Sequence, residues 1–263
     1  MSSIVEVILD GILPVFNIYT GIGCCMTLLC GLVLSPLLTP MVVTKYSEFG
    51  RHKKTYWNTL LGSTVHAIVL TVVTCYALLF DPLGEEYLIS LSPVGRALLR
   101  FSLGYFMTDF VFVMMDSEMR KDLMNFCHHT ISMFGIWLGV YLDGVALFWI
   151  VYRFFAELST TFVNIRWCMS AVNYPKSSAI YIVNSLVLAI TFYIARIFVI
   201  PYHWYTMYYY VYLDPSVTTA WPLFIRYWII ITFVAFDILN IVWAYKIVAG
   251  GYKLLKKSRK QSE

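Results

Sequence analysis

Hydrophobic residues run along this chain in long blocks, not in the short stripes of a soluble fold. A bilayer core of about 30 Å needs roughly 20 apolar residues in helical form. Blocks of that kind cover approximately residues 12–38, 59–80, 97–115, 144–163, 178–200 and 223–248. A shorter block, 127–142, is parted from the next only by Asp143-Gly144. Pro82, Pro93, Pro175, Pro201, Pro215 and Pro222 fall in or beside the intervening loops, where the missing N–H costs no helical bond. Pro14, Pro36 and Pro40 punctuate the first block. The pattern predicts an all-α membrane protein of about seven transmembrane helices. Residues 127–163 can form two crossings or a re-entrant hairpin, since both return the chain to the same side.

Composition sharpens that class. Of 263 residues, 60% are hydrophobic and 13% charged, against about 45–50% and about 25% in soluble domains. So little charge cannot clothe a water-facing surface, which excludes a soluble enzyme, a disordered chain and a nucleic-acid module. The net charge of +4 resides in short basic clusters beside apolar blocks, facing the anionic cytoplasmic leaflet. Cys24, Cys25, Cys30, Cys75, Cys127 and Cys168 lie inside or at the ends of apolar blocks. They read as small hydrophobes, with no disulfide framework and no metal cluster. The first block is too long for a signal sequence and no Lys or Arg precedes it, so it is expected to remain. No repeat, linker or low-complexity tract divides the chain.

Lys and Arg set the orientation. With the N-terminus outside or luminal, segments 39–58, 116–126, 164–177 and 249–263 face inward and, with Lys246, hold fourteen basic residues. The outer side holds four, Arg96, Arg100, Arg196 and Arg226, beside acids such as Glu6, Asp10, Asp81, Glu85, Glu86, Asp143 and Asp214. The C-terminus is then cytosolic.

Several ionisable groups fall inside the blocks, where they are costly and tend to face a bundle interior. At about 1.5 Å per residue, His66, Asp109 and Glu157 lie roughly 9–10 Å from the inner ends of their spans, and Asn240 and Asp237 roughly 12–16 Å. His128 and His129 open their helix at the inner mouth. Arg153, Glu157, Thr160 or Thr161, and Asn164 recur at helical spacing as one polar stripe. His128, Ser132, Gly135 and Gly139 share a face, which makes His128 the imidazole expected to point inward. Imidazoles suit proton transfer near neutral pH and attack on acyl groups. Arg196 and Arg226 are expected to snorkel outward, and Lys246 inward. His203 is expected in an outer aromatic belt with Tyr202, Trp204, Tyr205, Tyr208, Tyr209, Tyr210 and Tyr212. His52 is expected to be a solvated surface group.

The run His128-His129-Thr130 is followed by Glu157-Leu158-Ser159-Thr160-Thr161-Phe162-Val163-Asn164-x-Arg166-Trp167, and then by Tyr174-Pro175-Lys176 and Asp237-Ile238-Leu239-Asn240-x-x-Trp243. Together with Trp57-Asn58 and Gly104-Tyr105-x-x-x-Asp109, these resemble the TLC domain family over roughly residues 45–250. That family includes the translocating-chain-associating membrane protein and the Lag-type ceramide synthases. The resemblance implies a six-helix membrane barrel at 45–250, an accessory transmembrane helix at 1–44 and a basic cytosolic tail at 251–263. It further implies lipid homeostasis, with a membrane lipid or fatty acyl chain in an intramembrane cavity. The implied compartment is the endoplasmic reticulum, with the plasma membrane as the other candidate.

In the synthase branch the paired histidines serve N-acylation of a sphingoid base from acyl-CoA, which is a substrate and not a cofactor. Carried over, His128, His129, Glu157 and Asp109 form the catalytic set. His66, Arg153, Thr160, Thr161, Asn164, Asp237 and Asn240 line the polar cavity, and no metal or cofactor is expected. The chain departs from that branch where Ala156-Glu157 stands in place of His-Asp and Thr160 in place of a second aspartate. Lipid binding and acyl transfer both stay open, as does assembly into a homo-oligomer.

Overall fold

The computed structural model describes residues 17–84, 87–214 and 221–262. Glu6, Asp10, Pro14, Glu85, Glu86 and Pro215 lie outside the described residues. Among those described the secondary structure is helical without a strand, apart from one isolated antiparallel bridge between Ile89 and Val145. Five helices are long and apolar enough to cross a membrane: Ile18–Val42, Arg51–Phe80, Pro93–Met115, Ala179–Tyr212 and Leu223–Tyr252. The chain divides into two compact units, one ending at Tyr174 and one starting at Pro175.

In the first unit α1 (Ile18–Val42), α2 (Arg51–Phe80) and α3 (Pro93–Met115) come first. They are followed by the short α4 (Ser117–Lys121), then α5 (Leu123–Tyr141), α6 (Leu147–Phe154) and α7 (Thr160–Ala171). A π turn at Leu29–Leu34 interrupts α1. Pro36 would press on the carbonyl four residues back, at Leu32, and the wider turn gives it room. Below the turn α1 meets α2, where Asn58 Oδ1 accepts from Ser35 Oγ at 3.0 Å and Tyr46 Oη at 2.9 Å.

Helices α1 and α3 cross in backbone contact. A Cβ on Gly23 would lie 2.1 Å from the carbonyl oxygen of Phe101, and one on Gly104 would lie 2.1 Å from that of Thr20. Thr27 and Thr108 return their hydroxyls to the carbonyls of Gly23 and Gly104, at 2.8 and 3.0 Å. Small residues that let backbones touch are how membrane helices associate without a hydrophobic driving force between them.

Opposite ends of α3 are tied to different partners. At its start Arg96 and Arg100 reach the Asp143 carboxylate at 3.5 and 3.4 Å. Asp143 belongs to the tight turn between α5 and α6, where Asp143, Gly144 and Ala146 have φ of 41°, 106° and 58°. Gly144 suits that left-handed turn, and its Cβ would fall 2.4 Å from the Ser90 carbonyl. Helix α5 therefore runs back along the length of α3.

At the other end Asp116 caps α4 by accepting from the amides of Glu118 and Met119 at 2.9 and 3.1 Å, and it contacts His52 Nδ1 at 2.8 Å. His52 is thus paired, not merely solvated. Burial works to raise the Asp116 pKa, but the two amides and His52 outweigh it and hold the carboxyl below its usual 3.8. A depressed folded-state pKa contributes stability that is present above about 3.8 and lost as pH falls through the folded value. Asp116→Asn keeps a capping oxygen but removes the titrating carboxylate, and is expected to flatten the acid limb of a helicity titration. An unchanged acid limb would contradict this role.

The second unit consists of α8 (Ala179–Tyr212) and α9, which runs over Leu223–Ser262. The apolar block ending at 200 continues as helix through Pro201, so that proline is not at a boundary. A π turn at Tyr193–Ile197 precedes it and loosens the carbonyl of Ile197 that Pro201 would strike.

Candidate functional site

Polar side chains of the first unit converge between α2, α3 and α5. On α3, Ser102, Tyr105, Phe106 and Asp109 recur at helical spacing and present one face. His66 on α2 is 1% exposed and its Nε2 lies 3.1 Å from Ser102 Oγ. Its ring lies flat on Tyr105, with centroids 3.8 Å apart. On α5, His129 Nδ1 stands 3.1 Å from Asp109 Oδ2, an ion-pair distance off the line of a straight hydrogen bond. Asp109 is 4% exposed and His129 9%.

Phe106 organises the cluster. It packs edge to face with His66, His128 and His129, with ring centroids 5.5, 6.2 and 5.9 Å away, so three imidazoles surround one phenyl ring. The two adjacent histidines stand edge to face at 5.4 Å.

The side chain that meets the carboxylate is His129, not the His128 expected from helical spacing. The buried face of α5 runs through His129, Ser132, Gly135, Ile136, Gly139 and Val140, while His128 is half-buried on its flank. Ile136 and Val140 carry more apolar area than the glycines and turn that face toward α3. Gly139 still marks the close approach, since its Cβ would lie 2.7 Å from Ile150 and 3.2 Å from Leu99.

The expected stripe on Arg153, Glu157, Thr160, Thr161 and Asn164 is broken. A 3₁₀ segment, Phe155–Ser159, separates α6 from α7 and shifts the register between Arg153 and Asn164. Arg153, Glu157, Thr160 and Thr161 are half-buried, and Glu157 lies within electrostatic reach of Tyr105. Asn164 is buried and donates to Ser63 Oγ and Thr64 Oγ1, both at 3.0 Å, one turn of α2 from His66. Asn164→Leu removes both interhelical hydrogen bonds, while Thr64 Oγ1 keeps its bond to the Leu60 carbonyl at 2.8 Å, and is expected to cost about 1–2 kcal/mol in detergent unfolding. A loss below about 0.3 kcal/mol would mean that these two hydrogen bonds do not hold α7 to α2.

Asp237 and Asn240 are held within the second unit by partners of their own. Asp237 Oδ2 accepts from Trp204 Nε1 at 2.7 Å, and Asn240 Oδ1 accepts from Arg196 at 3.2 Å. Arg196 does not snorkel: it is buried, with its guanidinium over Phe192 at 5.2 Å and Trp243 at 5.9 Å. His203 is no belt residue either, being fully buried with Phe233 edge-on at 4.4 Å. Both shifts follow from α8 continuing as helix, which buries one side of the aromatic run while Tyr202, Tyr205 and Tyr209 remain exposed. Arg226 is half-buried and Lys246 exposed.

The histidines, Asp109 and Glu157 were visible in the sequence as ionisable groups in apolar blocks. Ser63, Thr64, Ser102 and Phe106 were not, because hydroxyls and phenyls are common in any span. The signal that could have found Ser102 and Phe106 is their spacing from Asp109 on one helix face. The six cysteines are free thiols, Cys30 buried and Cys25 exposed. No group of metal-ligating side chains occurs among the described residues.

A carboxylate beside a buried imidazole can orient or charge that imidazole, and His66, Ser102 and Tyr105 offer further hydrogen-bonding groups in an apolar surrounding. The model of the TLC domain matches residues 56–249. The zebrafish (Danio rerio) TLC domain-containing protein 4-B is 30% identical over 229 residues, covering 84% of this chain and 83% of its own length. The human (Homo sapiens) TLC domain-containing protein 4 is 28% identical over 223 residues, covering 82% and 81%. The Danio rerio TLC domain-containing protein 2 is 25% identical over 152 residues, covering 57% and 61%. No solved structure matches the chain.

Proposed function

The chain belongs to the TLC domain family, and from that premise we propose that it serves lipid homeostasis by holding an acyl chain or lipid within the membrane, its polar end gripped by His66, Asp109 and His129. The observation that carries this reading is the burial of His66, Asp109 and His129, with both imidazoles packed on Phe106 and the carboxylate against His129. Helix packing alone has no use for so costly a set, and in membrane proteins such groups mark substrate paths. The length of α5 along α3 favours two crossings at 127–163 over a shallow hairpin. With the basic bias, that gives seven crossings, the N-terminus outside or luminal and the histidine pair toward the cytosol. The endoplasmic reticulum is the compartment we assign.

A second reading, acyl transfer from acyl-CoA to a sphingoid amine, is favoured by the contact between His129 and Asp109. His129 would take the proton from the attacking amine as the N–C bond forms, and pass it to the thiolate as the C–S bond breaks. Asp109 would hold the imidazolium, with His128 and Glu157 as neighbours.

One preparation tests both. Protein purified in mild detergent should release a bound lipid detectable by mass spectrometry, and His129→Leu should release little. Product formation from acyl-CoA and a sphingoid base, abolished by His128→Ala with His129→Ala, would promote the second reading. Wild-type product from that double variant would end it, and equal lipid release from His129→Leu would end the first.

A further inference from the structure

A second site lies on a different face of α3 from the histidines. Helices α1, α2 and α3 enclose an open groove of about 610 Å³. Its walls are apolar, with Leu28 and Leu32 from α1 and Val111 and Met115 from α3. From Met107 to Met115 it extends roughly 12 Å along the helix. Its polar end is formed by Arg51, Thr55 and Asp116.

The charges at that end are unevenly committed. Helix α2 opens Arg51-His52-Lys53-Lys54 with no acidic residue in its first turn. His52 is paired with Asp116, Lys53 donates to the Ala171 carbonyl at 2.6 Å and Lys54 to the Ser47 carbonyl at 3.1 Å. Asp116 is spent on His52 and two backbone amides. Arg51 is exposed, and its guanidinium makes no hydrogen bond or ion pair with any described residue. A cation on the first turn of a helix also gains nothing from that helix's dipole. The groove thus ends in one uncompensated fork of donors suited to a phosphate.

We propose that this groove binds a membrane phospholipid of net negative charge, one acyl chain lying between Leu28, Leu32 and Val111 and the phosphate on Arg51. An apolar slot of this volume is in the range that holds ligands. A zwitterionic lipid would bring its own cation to a place already in surplus of positive charge.

The test is native mass spectrometry of the full-length protein, titrated with dioleoyl phosphatidic acid, dioleoyl phosphatidylcholine and inorganic phosphate. Phosphatidic acid is expected to bind about fivefold more tightly than phosphatidylcholine, the worth of one basic residue near a membrane surface. Arg51→Gln, at an exposed position, should bring the ratio to about one. Lys121→Gln, whose ammonium is already held by Glu118, should leave the ratio unchanged. Val111→Trp should lower occupancy by both lipids by filling the slot, and thermal melting should confirm that it is folded. A ratio retained by Arg51→Gln, undiminished occupancy in Val111→Trp, or phosphate binding as well without a chain would overturn the proposal. None of these results bears on the histidine cluster.

Discussion

Valine at Gly104 is expected to unseat α1 from α3. The Cβ position sits 2.1 Å from the Thr20 carbonyl oxygen and 2.9 Å from the Cys24 amide, both backbone atoms that no rotamer change can move. Relief requires the two helices to part along their whole crossing, which also costs the contact of Cys24 Sγ with the Gly104 carbonyl at 3.3 Å. Overpacking ordinarily costs about 1–3 kcal/mol, and a rigid backbone neighbour puts this case at the upper end. That loss corresponds to a fall of roughly 10 °C in the melting midpoint of the detergent-solubilised protein. Gly23→Val should behave alike, since it meets the Phe101 carbonyl at 2.1 Å. Gly21→Ala is the control: nothing lies within 4 Å of its Cβ, so helix propensity predicts a neutral or slightly stabilising change. Equal melting of all three variants would mean that the crossing contributes nothing.

The buried pair His129 and Asp109 should separate stability from function. Removing one partner leaves the other desolvated and uncompensated, at a cost of about 3 kcal/mol for either His129→Leu or Asp109→Leu. Replacing both by leucine removes the desolvation as well as the attraction, and the double variant is expected to melt within about 1 kcal/mol of the native protein. All three variants should lose bound lipid. A double variant that is stable and empty assigns the pair to lipid handling. One that is stable and still loaded makes the pair a helix clamp.

Much of this was legible in the chain because bilayer thickness imposes a length on apolar blocks. Those blocks located the cores of all five long helices. The ionisable residues within them pointed to the depth of the site, because hydrocarbon leaves few other reasons to keep such groups. The rotation of each helix was harder to read. Selecting between His128 and His129 turns on 100° of rotation, and that was decided by the bulk of Ile136 and Val140 rather than by the polar residues. The stripe from Arg153 to Asn164 assumed an unbroken helix, and no residue in Phe155–Ser159 announces a change of pitch. The burial of Arg196 and His203 is hidden in the sequence because Pro201 resembles a helix terminus. A π turn lets an α-helix pass through proline, and that adjustment leaves no sequence signature of its own.

The most direct test of a lipid site at the histidine cluster is photocrosslinking in native membranes with a diazirine-bearing fatty acid, followed by peptide mapping. Labelling is expected to concentrate on the α3 and α5 peptides carrying Tyr105, Phe106 and His129, and excess unlabelled lipid to compete it away. Labelling spread evenly over lipid-facing residues such as Ile18, Val72 and Ile231, with none at the cluster, would contradict it.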